Sequence, residues 1–222
     1  MNLITPHLEH ALEIKAQTLN TLVIEDTKIF TNFLNAWINT SAKRTQEFQL
    51  IEEDREIDIS KYTELMFDVF SPEINQTSLL KKLYQELESD LNAEEMYQKK
   101  IDLESRLYAL TDDLMYRSRF PIIAGEIHYD LLFKAVGLQF EFAGDSVLER
   151  LVDYMKIVYE LSGKRLFVIV NLDSFLDQEE LIALETFIRY NEIRVLALQN
   201  RITREGLESE NLRIIDQDLC EI

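Results

Sequence analysis

Apolar and polar positions alternate along the chain in two distinct periods. Leu166 to Val170 is an unbroken apolar run rich in β-branched residues, the pattern of a strand covered on both faces. It gives way to Asn171, Asp173 and Ser174, side chains that favour turns, and Asp177 stands three residues before Glu180, the spacing of a capping box. Leu181, Leu184, Phe187 and Ile188 follow at helical spacing up to Asn191, and a second apolar run covers Ile193 to Leu198. Strand, capped helix and strand within about 35 residues predict a βαβ unit with parallel strands, and so an α/β core.

The same patterns extend to both ends. Residues 11–15 (ALEIK) and 21–26 (TLVIED) read as a hairpin-like pair of strands, and Ile29, Phe30, Phe33, Leu34, Trp37 and Ile38 form a helical stripe capped by Asp26 or Thr27. FQLIEE and EIDIS, within residues 40–61, predict short edge strands, and TELMFDVF, 63–70, a buried strand closed by Ser71-Pro72. From Thr77 to about Arg119 there is neither Gly nor Pro, and leucines at helical spacing predict two antiparallel helices broken near Asn92. A shorter helix is expected over Glu126 to Val136, a strand over 138–142 (LQFEF), and a helix capped by Asp145 or Ser146 that ends at Gly163. Leu212 to Ile215 is a last strand candidate. The expected layout is a discontinuous α/β head, 1–71 and 138–222, with an inserted α-helical leg, 72–137.

Composition changes this picture in two ways. With 46% hydrophobic residues, 5 Gly and 3 Pro in 222 residues, the chain is suited to dense packing rather than disorder. Its 41 acidic and 23 basic residues leave a net charge of −18, which speaks against nucleic acid unless the cations are gathered on one surface. The opening MNLITPHLEH lacks the basic-then-apolar layout of a signal peptide, no run approaches a membrane span, and the single Cys220 forms no internal disulfide, so a cytoplasmic location without membrane association is expected.

Candidate chemistry is sparse. The turn Glu25-Asp26-Thr27 sits between strand and helix, where a phosphate loop would lie, yet it has neither the glycines nor the Lys-Ser/Thr that such a loop needs. His7 and His10, with Glu9 and Glu13 nearby, could begin a metal site, but no third ligand is indicated and an exposed polar terminus is the simpler expectation. His128 reads as a surface residue, and Asp173 as a turn former rather than a magnesium ligand. Cys220 lacks a basic neighbour to activate it. No catalytic triad or dyad can be assembled, so binding or scaffolding is the expected activity.

TLVIEDTKIFTNFL, TELMFDVFSPEIN, LFKAVGLQFE, GDSVLERLVDYMKIVYEL and GKRLFVIVNLDSFLDQEELIALETFIRYNEIRVLALQNR together resemble the type II-A CRISPR-associated adaptation ring protein, the Csn-two family, over nearly the whole chain. The resemblance implies a degenerate P-loop-like head with an inserted helical leg, assembly into a homotetrameric ring, and no hydrolytic activity. It also implies threading of double-stranded DNA ends through a positively lined hole, in support of spacer acquisition beside the adaptation integrase complex and the effector nuclease. DNA contact is expected from Arg117, Arg119, Lys134, Arg150 and Lys156, without sequence specificity. Calcium, which the family uses to stiffen the ring, is implied as well. Here, however, YRSRFPIIAG puts Arg117 and Arg119 where carboxylates are expected, and Glu126 and Asp130 alone are too few to hold that ion. The two arginines would then either pair with acidic groups of the ring or face DNA. Two other functions suit the same residues: an acidic protein-binding scaffold, and a cryptic P-loop-like nucleoside-triphosphatase.

Overall fold

The computed structural model describes residues 1–201, 207 and 210–222. Two compact units are present, Met1–Glu73 with Phe142–Ile222, and Ile74–Glu141.

The first unit is built on a five-stranded, all-parallel sheet in the order β6-β7-β8-β3-β9. Its strands are β3 (Leu19–Ile24), β6 (Thr63–Met66), β7 (Leu166–Val170), β8 (Arg194–Gln199) and β9 (Asn211–Ile215). Every residue of β3 and β7 is buried, as unbroken apolar runs require of strands covered on both faces. Leu22, Ile24, Leu166, Val168, Leu196 and Leu198 join Phe30, Phe33 and Trp37 of α1 (Thr27–Ser41) in one core cluster. Leu3, Leu12 and Leu50 close that cluster from a second, antiparallel sheet in the order β2-β1-β4-β5. Its strands are β1 (Asn2–Ile4), β2 (Leu12–Glu13), β4 (Gln49–Glu52) and β5 (Arg55–Ile57). Phe167, Ile169, Val195 and Ala197 point the other way and are as fully buried, leaving α6 (Val147–Ser162) and α7 (Gln178–Tyr190) to cover that face. Both helices start with complete capping boxes, Ser146 with Glu149 and Asp177 with Glu180, and Gly163 ends α6 in the left-handed region that its missing Cβ permits.

The second unit holds α3 (Thr77–Leu91), α4 (Glu94–Arg117) and α5 (Tyr129–Ala135). The break at Asn92 lies where the spacing places it. Burial is thin: Ile74, Leu79, Tyr129 and Phe133 are the buried hydrophobic side chains of this unit, and α4 buries none.

Several expectations fail for local reasons. ALEIK and TLVIED are not a hairpin: β2 pairs with β1 while β3 enters the parallel sheet. Residues 2–4, for which no element was expected, form a strand with Leu3 fully buried. EIDIS stops being a strand at Ile57, where Asp58 caps the short helix α2 (Ile59–Tyr62) through Ser60 N. The strand from Thr63 ends at Met66, since the Asp68 carboxylate accepts from Phe70 N and Ser71 N and turns the chain. LQFEF alternates like a strand but pairs with none; Phe140 N and O bond the Asn75 side chain instead. The helix expected from Glu126 starts only at Tyr129.

Candidate nucleic-acid interface

In open parallel sheets, ligands bind beyond the carboxyl ends of the strands, so the β3–α1 turn is the first place to look. Its polar groups bond to one another. Asp26 Oδ1 accepts from Ile29 N at 2.8 Å, so the positive end of α1 is neutralised by the chain's own carboxylate. Asn200, on the far end of β8, donates through Nδ2 to Ile24 O at 2.9 Å and accepts from Thr27 Oγ1 at 3.4 Å, which laces the turn shut. Glu25 and Asp26 set two carboxylates beside the turn. Asp173 falls in the 3-10 turn Leu172–Ser174 after β7, reached through Asn171 in the left-handed region. Sequence reasoning missed Asn200, because nothing local marks a residue whose partners are 173 to 176 positions away.

The five candidate cations divide between the units. Arg117, Arg119 and Lys134 belong to the helical unit and are exposed. Arg117 is the last residue of α4, favourable beside the negative end of that helix. Arg119 sits in a turn fixed by Phe120 N donating to Ser118 Oγ at 3.1 Å. Lys134, together with Lys81, lines a groove of about 460 Å³ between α3 and α5, shared with Glu88 and Asp130. Lys81 was not foreseen, since the sequence does not set α3 beside α5. Arg150 and Lys156 lie on α6 in the other unit: Arg150 donates to Phe70 O at 3.4 Å, and Lys156 Nζ stands 5.6 Å from the Phe187 ring centre. At the amino edge of the parallel sheet, Arg194 pairs with Glu52 at 2.6 Å and Arg165 stacks on Tyr159 at 3.7 Å, so both guanidiniums are engaged internally. Burial first, then the Glu52 charge, pushes the Tyr62 hydroxyl above its ordinary range there.

The histidines do not converge. His7 Nε2 lies 3.3 Å from Glu47, its ring stacked on Phe48, while His10 Nδ1 is 3.4 Å from Glu221. Glu126 precedes α5 in irregular chain and Asp130 lies in its first turn, and among the described residues no three His, Cys, Asp or Glu side chains group as metal ligands. Calcium takes six to eight oxygens, so the set does not fit it.

The family model described as CRISPR-associated protein (Cas_Csn2) matches residues 40–219. A CRISPR-associated protein Csn2 of Enterococcus faecalis is 27% identical over 209 residues, covering 90% of each chain. Another Csn2, from Streptococcus agalactiae, is 24% identical over 205 residues, covering 88% of this chain and 87% of its own. With 180 of its 222 residues inside the family match, the chain belongs to the CRISPR-associated Csn2 family.

Proposed function

We propose that this protein is a non-enzymatic, homotetrameric ring that binds ends of double-stranded DNA without sequence specificity and supports spacer acquisition in type II-A CRISPR immunity. Its α/β unit is a degenerate P-loop-like head. The observation that carries this reading is the β3–α1 turn. A helix leaving the end of a central parallel strand is the usual place for a phosphate, yet here the turn lacks glycines, Asp26 caps the helix through Ile29 N, and Asn200 ties the turn to β8. A nucleotide-like scaffold that repels nucleotides retains assembly and binding as its work. Membership of the Csn2 family supplies the CRISPR context. An acidic exterior with cations gathered on an inner surface reconciles −18 with a polyanionic ligand. The adaptation integrase complex and the effector nuclease are its working partners.

Gel shifts with linear and closed circular duplex of the same sequence test this directly. Linear DNA should be retained and the closed circle should not, because a closed ring loads through a free end. Retention should fall steeply with added salt. Equal binding to both forms, or to neither, overturns the ring reading, and binding to neither leaves an acidic protein-binding scaffold. ATP hydrolysis with magnesium, or a rise in melting temperature on adding them, would return the head to the nucleoside-triphosphatases.

A further inference from the structure

Strands β6, β7, β8 and β3 lie side by side and parallel, so the residues that lead into them share one edge of the sheet, opposite the β3–α1 turn. These are Gln17 before β3, Tyr62 before β6, Arg165 before β7, and Arg194, the first residue of β8. With Asn191 and Glu192, which follow α7, they line a cavity of about 380 Å³, within the range of small-ligand sites, roughly 300–1,000 Å³. The backbone fixes the two arginines. Arg165 N donates to Tyr62 O and Arg194 N to Arg165 O, both at 2.9 Å, which carries the ladder past the strand ends.

The charges of this edge do not balance among themselves. Arg194 pairs with Glu52, and Lys164 with Glu64. Arg165 is part-buried, and among the described residues no carboxylate pairs with it. Its Nη1 donates instead to the carbonyls of Tyr159, at 2.6 Å, and Lys164, at 3.3 Å, with the guanidinium 3.7 Å from the Tyr159 ring centre. Arg194 has an unmet group as well: its Nε is buried and finds no acceptor among the described residues. A cation drawn out of water without a counter-ion is costly, and here it stands in a chain with 41 acidic residues. Glu192, the carboxylate that does line the cavity, is exposed and accepts from the Tyr159 hydroxyl at 3.5 Å.

We propose that this cavity binds a phosphate monoester, taken by the guanidiniums of Arg165 and Arg194. Guanidinium forks match the oxygens of phosphates and carboxylates alike. A carboxylate brings one charge and two oxygens. A phosphate monoester brings close to two charges and three oxygens, enough to offset Arg165 and reach Arg194 while Glu52 keeps its pair. The site lies at the amino edge of the sheet and is separate from the β3–α1 turn on which the proposed function rests. A free small phosphate ester and the phosphorylated 5′ end of a DNA strand share this chemistry.

Titration calorimetry of the full chain with inorganic phosphate, at constant ionic strength and without magnesium, tests it. Phosphate should bind saturably, one ion to each chain. Arg165→Leu should weaken binding on the order of tenfold or more, and Arg165→Lys, which keeps the charge but loses the fork, should weaken it less. Glu192→Gln, an exposed change that removes a carboxylate from the cavity lining, should tighten binding by roughly a few-fold. If Arg165→Leu does not fold, the lysine and glutamine variants carry the same test. Gel shifts with 5′-phosphorylated and 5′-hydroxyl linear duplex separate the two sources. A preference for phosphorylated ends that Arg165→Leu abolishes places the ligand on DNA, and equal retention beside intact phosphate binding makes it a free ester. No saturable phosphate binding, or binding indifferent to the Arg165 and Glu192 variants, overturns the site. That failure leaves the ring reading standing, since its own test compares linear with closed circular duplex.

Discussion

Replacing Tyr129 with Phe removes one oxygen and leaves the ring, and the helical unit makes that oxygen consequential. Its hydroxyl donates to Glu104 Oε1 at 2.7 Å, joining α5 to α4. A hydrogen bond to a charged acceptor contributes about 1.5–3 kcal/mol. Glu104 keeps 32% side-chain exposure and has Lys100 at 4.0 Å, so water and Lys100 recover part of the loss, and about 1–2 kcal/mol is expected. In a unit this size, 1 kcal/mol moves the melting temperature by about 4–8 °C. Far-UV circular dichroism during urea or thermal unfolding reads the helices, while the single tryptophan, Trp37 of α1, reports the other unit in the same sample. Glu104→Gln should cost a similar amount, and the double variant should cost less than the sum by roughly 1 kcal/mol. Titration supplies a second arm. Burial first, then the bond to Glu104, pushes the Tyr129 hydroxyl from 10.0 up to about 12. A pKa raised on folding means that the stabilisation is fully present below the unfolded value and is lost as pH rises from about 10 towards 12. Tyr129→Phe should flatten that fall. A Tyr129→Phe protein as stable as wild type, or additive losses in the double variant, would refute this account of how α4 and α5 are joined.

Two further expectations concern turns and caps. A Cβ added at Gly144 would collide with Glu149 Cβ, so Gly144→Ala should drive Glu149 out of its capping box and lower stability by about 1 kcal/mol, read as a urea midpoint shift. Ser146, through its backbone and then its side chain, holds the Glu149 carboxyl below its ordinary range, so the box is intact at neutral pH and is lost only as acid titrates through that lowered value. Hydrogen bonds from Lys43 and then Ser60 hold Asp58 at about 2, against an ordinary 3.8. Carbon-detected NMR titration should find that low midpoint, and Lys43→Ala should raise it; an unmoved midpoint would mean that the 2.7 Å pair is not populated in solution.

The parts of the fold legible in sequence are those whose cause is local. LFVIV reads as a doubly covered strand because no polar residue interrupts it, and Asp177 and Glu180 announce a helix start three residues apart. The phosphate loop's absence was equally plain, since glycine and lysine are either there or not. LQFEF shows the limit of such reasoning. Its alternation is that of a strand, yet strand formation requires a neighbouring edge, and Asn75 takes the Phe140 backbone instead. The hairpin expected of residues 11–26 failed for the same reason, the partners of β3 lying in β8 and β9.

Of the candidate site, the arginine-bearing stretch without carboxylates and the β3–α1 turn without glycines were visible in the residues themselves. That Asn200 laces the turn and Lys81 joins Lys134 in one groove was not, because each depends on groups far apart in the chain. Sequence alone determined the α/β class, the capped starts of α1, α6 and α7, and the net negative charge, because periodicity, capping and charge act over a few residues. Tertiary structure decided which strands pair, which cations are taken up by Glu52, Tyr159 or Phe70, and that α4 fully buries none of its side chains, because burial is a property of what packs against a residue rather than of the residue.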